Sequence, residues 1–83
     1  MDKSIYTREY GVALRLLKQV REEAGITQVE LAKKLGQSQS FVSKVERGDR
    51  RLDIVQLRTL CRVLGTSLPA FVERLETELA GKR

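Results

Sequence analysis

The chain has 83 residues, 41% hydrophobic and 33% charged, with a formal net charge of +5 and a sequence pI of about 9.8. That length provides for one domain with a core but not for a core plus a ligand pocket, so no second functional domain is expected. A single cysteine, Cys61, and no histidine exclude an intrachain disulfide and argue against a zinc site or a Cys/His nucleophile pair.

No apolar run approaches the roughly 18 residues of a membrane span. The N-terminal stretch MDKSIYTREY is polar, unlike the apolar segment of a signal peptide, so a cytoplasmic protein is expected. No nucleophile has a base partner and no carboxylate pair sits at suggestive spacing, so no enzymatic role, cofactor or metal is expected.

Apolar residues recur at helical spacing throughout, which predicts an all-α fold of five helices in a compact bundle. The first is predicted from about Thr7 to Ala24, with Ala13, Leu16, Leu17, Val20 and Ala24 as its stripe and Gly25 ending it in the left-handed conformation. Thr27 and Glu30 have the spacing of a capping box, which starts helix 2 at Gln28. Leu31, Ala32 and Leu35 line its inner side, and Gly36 follows, where a side chain is expected to obstruct a sharp turn and φ to be positive.

Ser38 caps helix 3, whose inward residues are Val42 and Val45 and which ends at Gly48. Asp53 and Gln56 repeat the capping-box spacing for helix 4, with Ile54, Leu57, Leu60, Cys61 and Leu64 as apolar residues and Gly65 as its end. Cys61 reads as a small apolar residue on a buried face. Ser67 caps helix 5, predicted over 68–79, with Pro69 in its first turn and Phe71, Val72, Leu75 and Leu79 apolar. The tail from Gly81 through Lys82 and Arg83 is expected to fray.

Two short amphipathic helices joined by a glycine turn, over TQVELAKKLGQSQSFVSKVERG (residues 27–48), have the layout of a DNA-reading helix-turn-helix. Charge agrees: from Gln28 to Arg62 there are eight basic residues (Lys33, Lys34, Lys44, Arg47, Arg50, Arg51, Arg58, Arg62) against four acidic ones (Glu30, Glu46, Asp49, Asp53). Elsewhere eight basic residues face seven acidic ones, so most of the excess lies in and just after this unit.

The major groove admits an α-helix and distinguishes all four base pairs. Gln39, Ser40, Ser43 and Lys44 share the helix 3 face opposite Val42 and Val45, which makes them the base-contacting candidates. The Gln39 amide can pair in bidentate fashion with adenine, and Lys44 can donate to guanine O6 and N7. Gln28 sits at the positive end of helix 2, where it can hold a phosphate. Arg47, Arg50 and Arg51 are further backbone-contact candidates. Phe41 is expected to touch the sugar-phosphate edge or a thymine methyl, with a place on the core rim as its alternative.

These residues resemble the Cro/repressor-type helix-turn-helix family, also called the xenobiotic-response-element family of bacterial and phage regulators. The likeness rests on Gln28, on Ala32 where the helices cross, on Gly36 at the turn, on Val42 and Val45, and on the SQSFVSKVERG run with Glu46 before Arg47 and Gly48. It covers nearly the whole chain and implies an all-α domain of about five helices. It also implies a base-reading role for Gln39, a phosphate contact for Gln28, and an Arg21–Glu46 pair bracing helix 1 against helix 3.

One reading helix covers only a few base pairs, and helix-turn-helix proteins commonly dimerise on half-sites about 34 Å apart. A homodimer on palindromic double-stranded DNA is expected, with Leu68, Phe71, Val72 and Leu75 of helix 5 as its interface; the alternative is that they cap the domain's own core. The functional reading is a small transcriptional regulator of repressor type. An antitoxin or other protein-interaction module is the alternative. RNA binding is disfavoured by the scarcity of aromatic platforms.

Overall fold

Local end signals set the element order: α1 (Lys3–Glu23), α2 (Gln28–Leu35), α3 (Gln39–Arg47), α4 (Ile54–Val63) and α5 (Leu68–Gly81). The computed structural model describes residues 3–81, with side chains from residue 8 onward; among these, all regular structure is helical. Helix α1 begins at Lys3 rather than near Thr7, and α5 continues to Gly81. Lys82 and Arg83 of the expected frayed tail lie outside the described residues.

The helix starts follow their caps. Thr27 Oγ1 accepts from the Glu30 backbone N–H (3.1 Å) while the Glu30 carboxylate accepts from the Thr27 N–H (2.8 Å). These bonds hold the Glu30 carboxyl below the usual carboxylate range. Asp53 and Gln56 exchange the equivalent pair at 2.7 and 2.9 Å. Ser38 accepts from Phe41 at 3.1 Å, and Ser67 from Ala70 at 3.2 Å. Each bond satisfies a first-turn donor that the helix itself cannot.

At the turn between α2 and α3, Gly36 has φ 68°, and the Gln37 N–H reaches back to the Ala32 carbonyl at 2.9 Å. A Cβ at Gly36 would meet nothing within 4 Å, so the expected obstruction is absent and only the positive φ calls for glycine. Gly48, after α3, has both constraints: φ is 86°, and a Cβ would lie 3.2 Å from Leu14 Cδ1 on α1.

The core is built from Val12, Leu16, Leu17 and Val20 of α1, Leu31 and Ala32 of α2, Val42 and Val45 of α3, Leu60 and Cys61 of α4, Leu64 just beyond it, and Phe71 of α5. Helix α2 packs most extensively on α3, α1 contacts both α3 and α5, and α4 bridges α2 and α5. Arg74 of α5 pairs with Glu23 of α1 at 3.0 Å on the exposed side of that contact. Cys61 is fully buried, and burial pushes its thiol pKa up, so it stays a protonated core residue.

Several inward assignments change. Val12, not Ala13, completes the buried α1 stripe with Leu16 and Val20, one turn apart each, while Ala24 lies past the last helical residue and is exposed. Ile54, at the first position of α4, is 68% exposed, because the helix turns only its later residues inward. Phe71, expected at a dimer interface, is 2% exposed and belongs to the chain's own core, so its ring has no free face for a partner.

The two glycines predict a measurable contrast. Gly36→Ala is expected to cost about 1–2 kcal/mol, the penalty of left-handed backbone alone. Gly48→Ala adds the encounter with Leu14, whose Cδ1 must move by a few tenths of an ångström, so its melting temperature should fall further than that of the Gly36 variant. Equal thermal shifts by circular dichroism would remove the Leu14 contact from this account.

Candidate nucleic-acid interface

Helix α3 is held by its apolar side and presents the other. Val42 and Val45 are buried, while Gln39, Ser40, Lys44 and Arg47 are exposed and Ser43 is half-buried. The structure therefore brings the four base-contacting candidates onto one open helix face. Alternation with the two valines dictates this, since residues three and four apart share a side of the helix.

Beneath that face runs a connected set of polar groups. Arg21 of α1 is only 8% exposed, and its guanidinium donates from Nε and Nη2 to Glu46 (2.6 and 3.2 Å) and from Nη1 to the Ile26 carbonyl (2.8 Å). This is the brace that the family resemblance implies. The hydrogen bonds to Glu46 outweigh burial and raise the Arg21 pKa further, so the group is permanently charged. Gln28 then donates from Nε2 to Glu46 Oε1 at 2.9 Å, and Gln39 donates from Nε2 to Gln28 Oε1, also at 2.9 Å. The phosphate candidate of α2 and the base-reading candidate of α3 are thus directly bonded. Their spacing of eleven residues across two helices gave no local sign of this.

The remaining basic candidates are already engaged within the chain. Arg47 donates from Nη1 to Ser43 Oγ at 2.7 Å and from Nε to Asp49 at 3.1 Å, all on the exposed surface. The Arg50 guanidinium lies 5.0 Å from the centre of the Phe41 ring, and that of Arg51 lies 4.5 Å from the centre of the Tyr10 ring on α1. Stacking uses the flat face of a guanidinium and leaves its edge N–H donors open to an anion.

Phe41 itself takes the alternative place considered for it. Its ring packs against the core beside Leu35, Leu52 and Leu60, lining a small groove of about 140 Å³. It is half-buried there, and the Arg50 guanidinium lies over its ring. Tyr10 was not singled out by sequence pattern, because its role depends on a residue 41 positions away.

No helix among the described residues is long and apolar enough to cross a membrane. No group of acidic, cysteine or histidine residues among them has the arrangement of a metal site.

Comparison with known proteins agrees with this geometry. The family described as Helix-turn-helix matches residues 17–71, which takes in the helix-turn-helix and its supports on α1, α4 and α5. An HTH-type transcriptional regulator of Sinorhizobium fredii, itself uncharacterized, is 40% identical over 48 residues, 58% of this chain. The chain spans 62% of the length of that curated relative. Among solved structures, an XRE-family like protein from Pseudomonas syringae pv. tomato is 46% identical. It superposes with a TM-score of 0.84, covering 92% of this chain and 93% of that one. The restriction-modification controller protein C.Esp1396I is 30% identical with a TM-score of 0.79, covering 87% of this chain and 95% of its own.

The buried brace, the open face of α3 and these likenesses lead to one assignment: the chain belongs to the XRE family of helix-turn-helix transcriptional regulators.

Proposed function

We propose that this regulator works in the cytoplasm as a homodimer on a palindromic double-stranded operator, with α3 in the major groove. Gln39, Ser40, Ser43 and Lys44 read base edges there; Gln28, Arg47, Arg50 and Arg51 hold phosphates and fix the register. The observation that carries the reading is the Gln39 side chain, exposed at the tip of α3 yet tethered to Gln28 at 2.9 Å, so that a base reader and a backbone anchor move as one unit. The family is one of transcriptional regulators rather than enzymes.

For dimerisation, the burial of Phe71 leaves Leu68, Val72 and Leu75 as the α5 contribution, of which only Val72 is well exposed, at 41%. A larger apolar surface lies at the start of α4, where Ile54 and Val55 are 68% and 67% exposed. Solvent-exposed branched side chains side by side, close after the reading helix, suit a contact between two copies near the operator centre. We assign the interface to this α4 surface first and to Val72 second.

Two measurements test the reading. Gln39→Ala is expected to cost about 1–3 kcal/mol on the cognate duplex and to relax preference at one base pair. Arg51→Ala should weaken all sequences alike and flatten the salt slope by about one. Unchanged affinity and preference in the Gln39 variant would remove α3 from the groove. In sedimentation, Ile54→Glu is expected to yield folded monomers and Val72→Glu to weaken the dimer less; the reverse order would move the interface to α5.

A further inference from the structure

The tether between α2 and α3 has a direction, and that direction restricts what Gln39 can read. A carboxylate accepts hydrogen bonds and cannot donate them. Glu46 is locked by two bonds from Arg21, and its side chain is 7% exposed, so it presents a fixed acceptor to Gln28. Gln28 must therefore turn its NH₂ toward Glu46, which it does at 2.9 Å, and its carbonyl toward Gln39. The reversed Gln28 amide would set carbonyl oxygen against carboxylate oxygen. Facing a carbonyl, Gln39 must in turn donate its own Nε2–H, again at 2.9 Å. The polarity of each amide is thus inherited from Glu46.

With one N–H committed to Gln28, Gln39 offers outward a carbonyl oxygen and one remaining N–H. That pair complements the N6–H donor and N7 acceptor of adenine. With the chain reversed, the Gln39 oxygen would be occupied and two N–H donors would point outward, complementary to the N7 and O6 acceptors of guanine. We infer that Glu46, acting through Gln28, is a positioning residue that sets the amide polarity of Gln39 and so makes this position of the operator adenine rather than guanine. This rests on the base-reading role proposed for Gln39. It gives the buried brace a second task, distinct from holding α1 to α3.

The test is selection of bound duplexes from a random pool at fixed salt, comparing wild type, Gln39→Ala, Gln28→Ala and Glu46→Gln. The operator position read by Gln39 is the one whose preference disappears in Gln39→Ala. Gln28→Ala leaves the Arg21–Glu46 pair intact and releases Gln39; there the adenine-to-guanine ratio should fall about tenfold at that position alone. The lost Gln28 phosphate contact would instead lower affinity evenly across sequences. Glu46→Gln, whose amide can donate or accept, should lose the same discrimination when assayed below its melting temperature. An unchanged adenine preference in a folded Gln28→Ala protein overturns the relay while leaving Gln39 as reader. No position altered in Gln39→Ala removes the reader and the relay with it.

Discussion

The link between α2 and α3 on the reading surface, from Gln28 to Gln39, depends on one buried ion pair. Taking Arg21 and Glu46 out of water is costly unless every donor finds a partner, and here the guanidinium is bonded to both carboxylate oxygens and to the Ile26 carbonyl. The geometry is closed, and no buried polar side-chain atom among the described residues lacks a partner. Removing one member would strand a buried charge, a loss of about 3–5 kcal/mol in comparable pairs. An apolar replacement of both could pack as well, but it would supply no fixed acceptor to Gln28. The pair therefore joins stability to recognition: the hydrophobic core sets where α3 lies, and the carboxylate at its end sets how the neighbouring amides face.

The arrangement also explains why so short a unit can be rigid. Helices α2 and α3 have eight and nine residues, below the length at which isolated helices hold in water. Their ends are satisfied by side-chain caps and by left-handed glycines, and their inner faces by the valines and leucines of the core. Neither helix would persist without α1 and α4 behind it. The reading face is thus presented by tertiary packing more than by helix propensity.

Much of this was visible in the chain itself, and the reasons divide along chemical lines. Caps and helix ends were legible because Thr27 with Glu30, Asp53 with Gln56, and the glycines act within three or four residues of themselves. The open face of α3 was legible because its polar residues alternate with Val42 and Val45. Periodicity shows which face of a helix is apolar but not what covers it, so Phe71 could not be told from a surface anchor, nor Ile54 from a core residue. The Gln28–Gln39 bond and the Tyr10–Arg51 stack were hidden for another reason: both are made by long side chains meeting across different helices. The Arg21–Glu46 pair was expected only through family likeness, since nothing local joins positions 25 residues apart.

The stacked arginines bear on how fast the protein can find its site. A free arginine has about 2 kcal/mol of rotamer entropy to lose on immobilisation. Arg50 over Phe41 and Arg51 over Tyr10 are confined by aromatic rings before any phosphate arrives, so part of that ordering belongs to folding and not to the encounter. Under the phosphate role proposed for Arg50 and Arg51, their charges beside α3 would bias the approach of a polyanion toward the orientation in which α3 meets the groove. On that reading the aromatic rings would act on association kinetics through the arginines they hold.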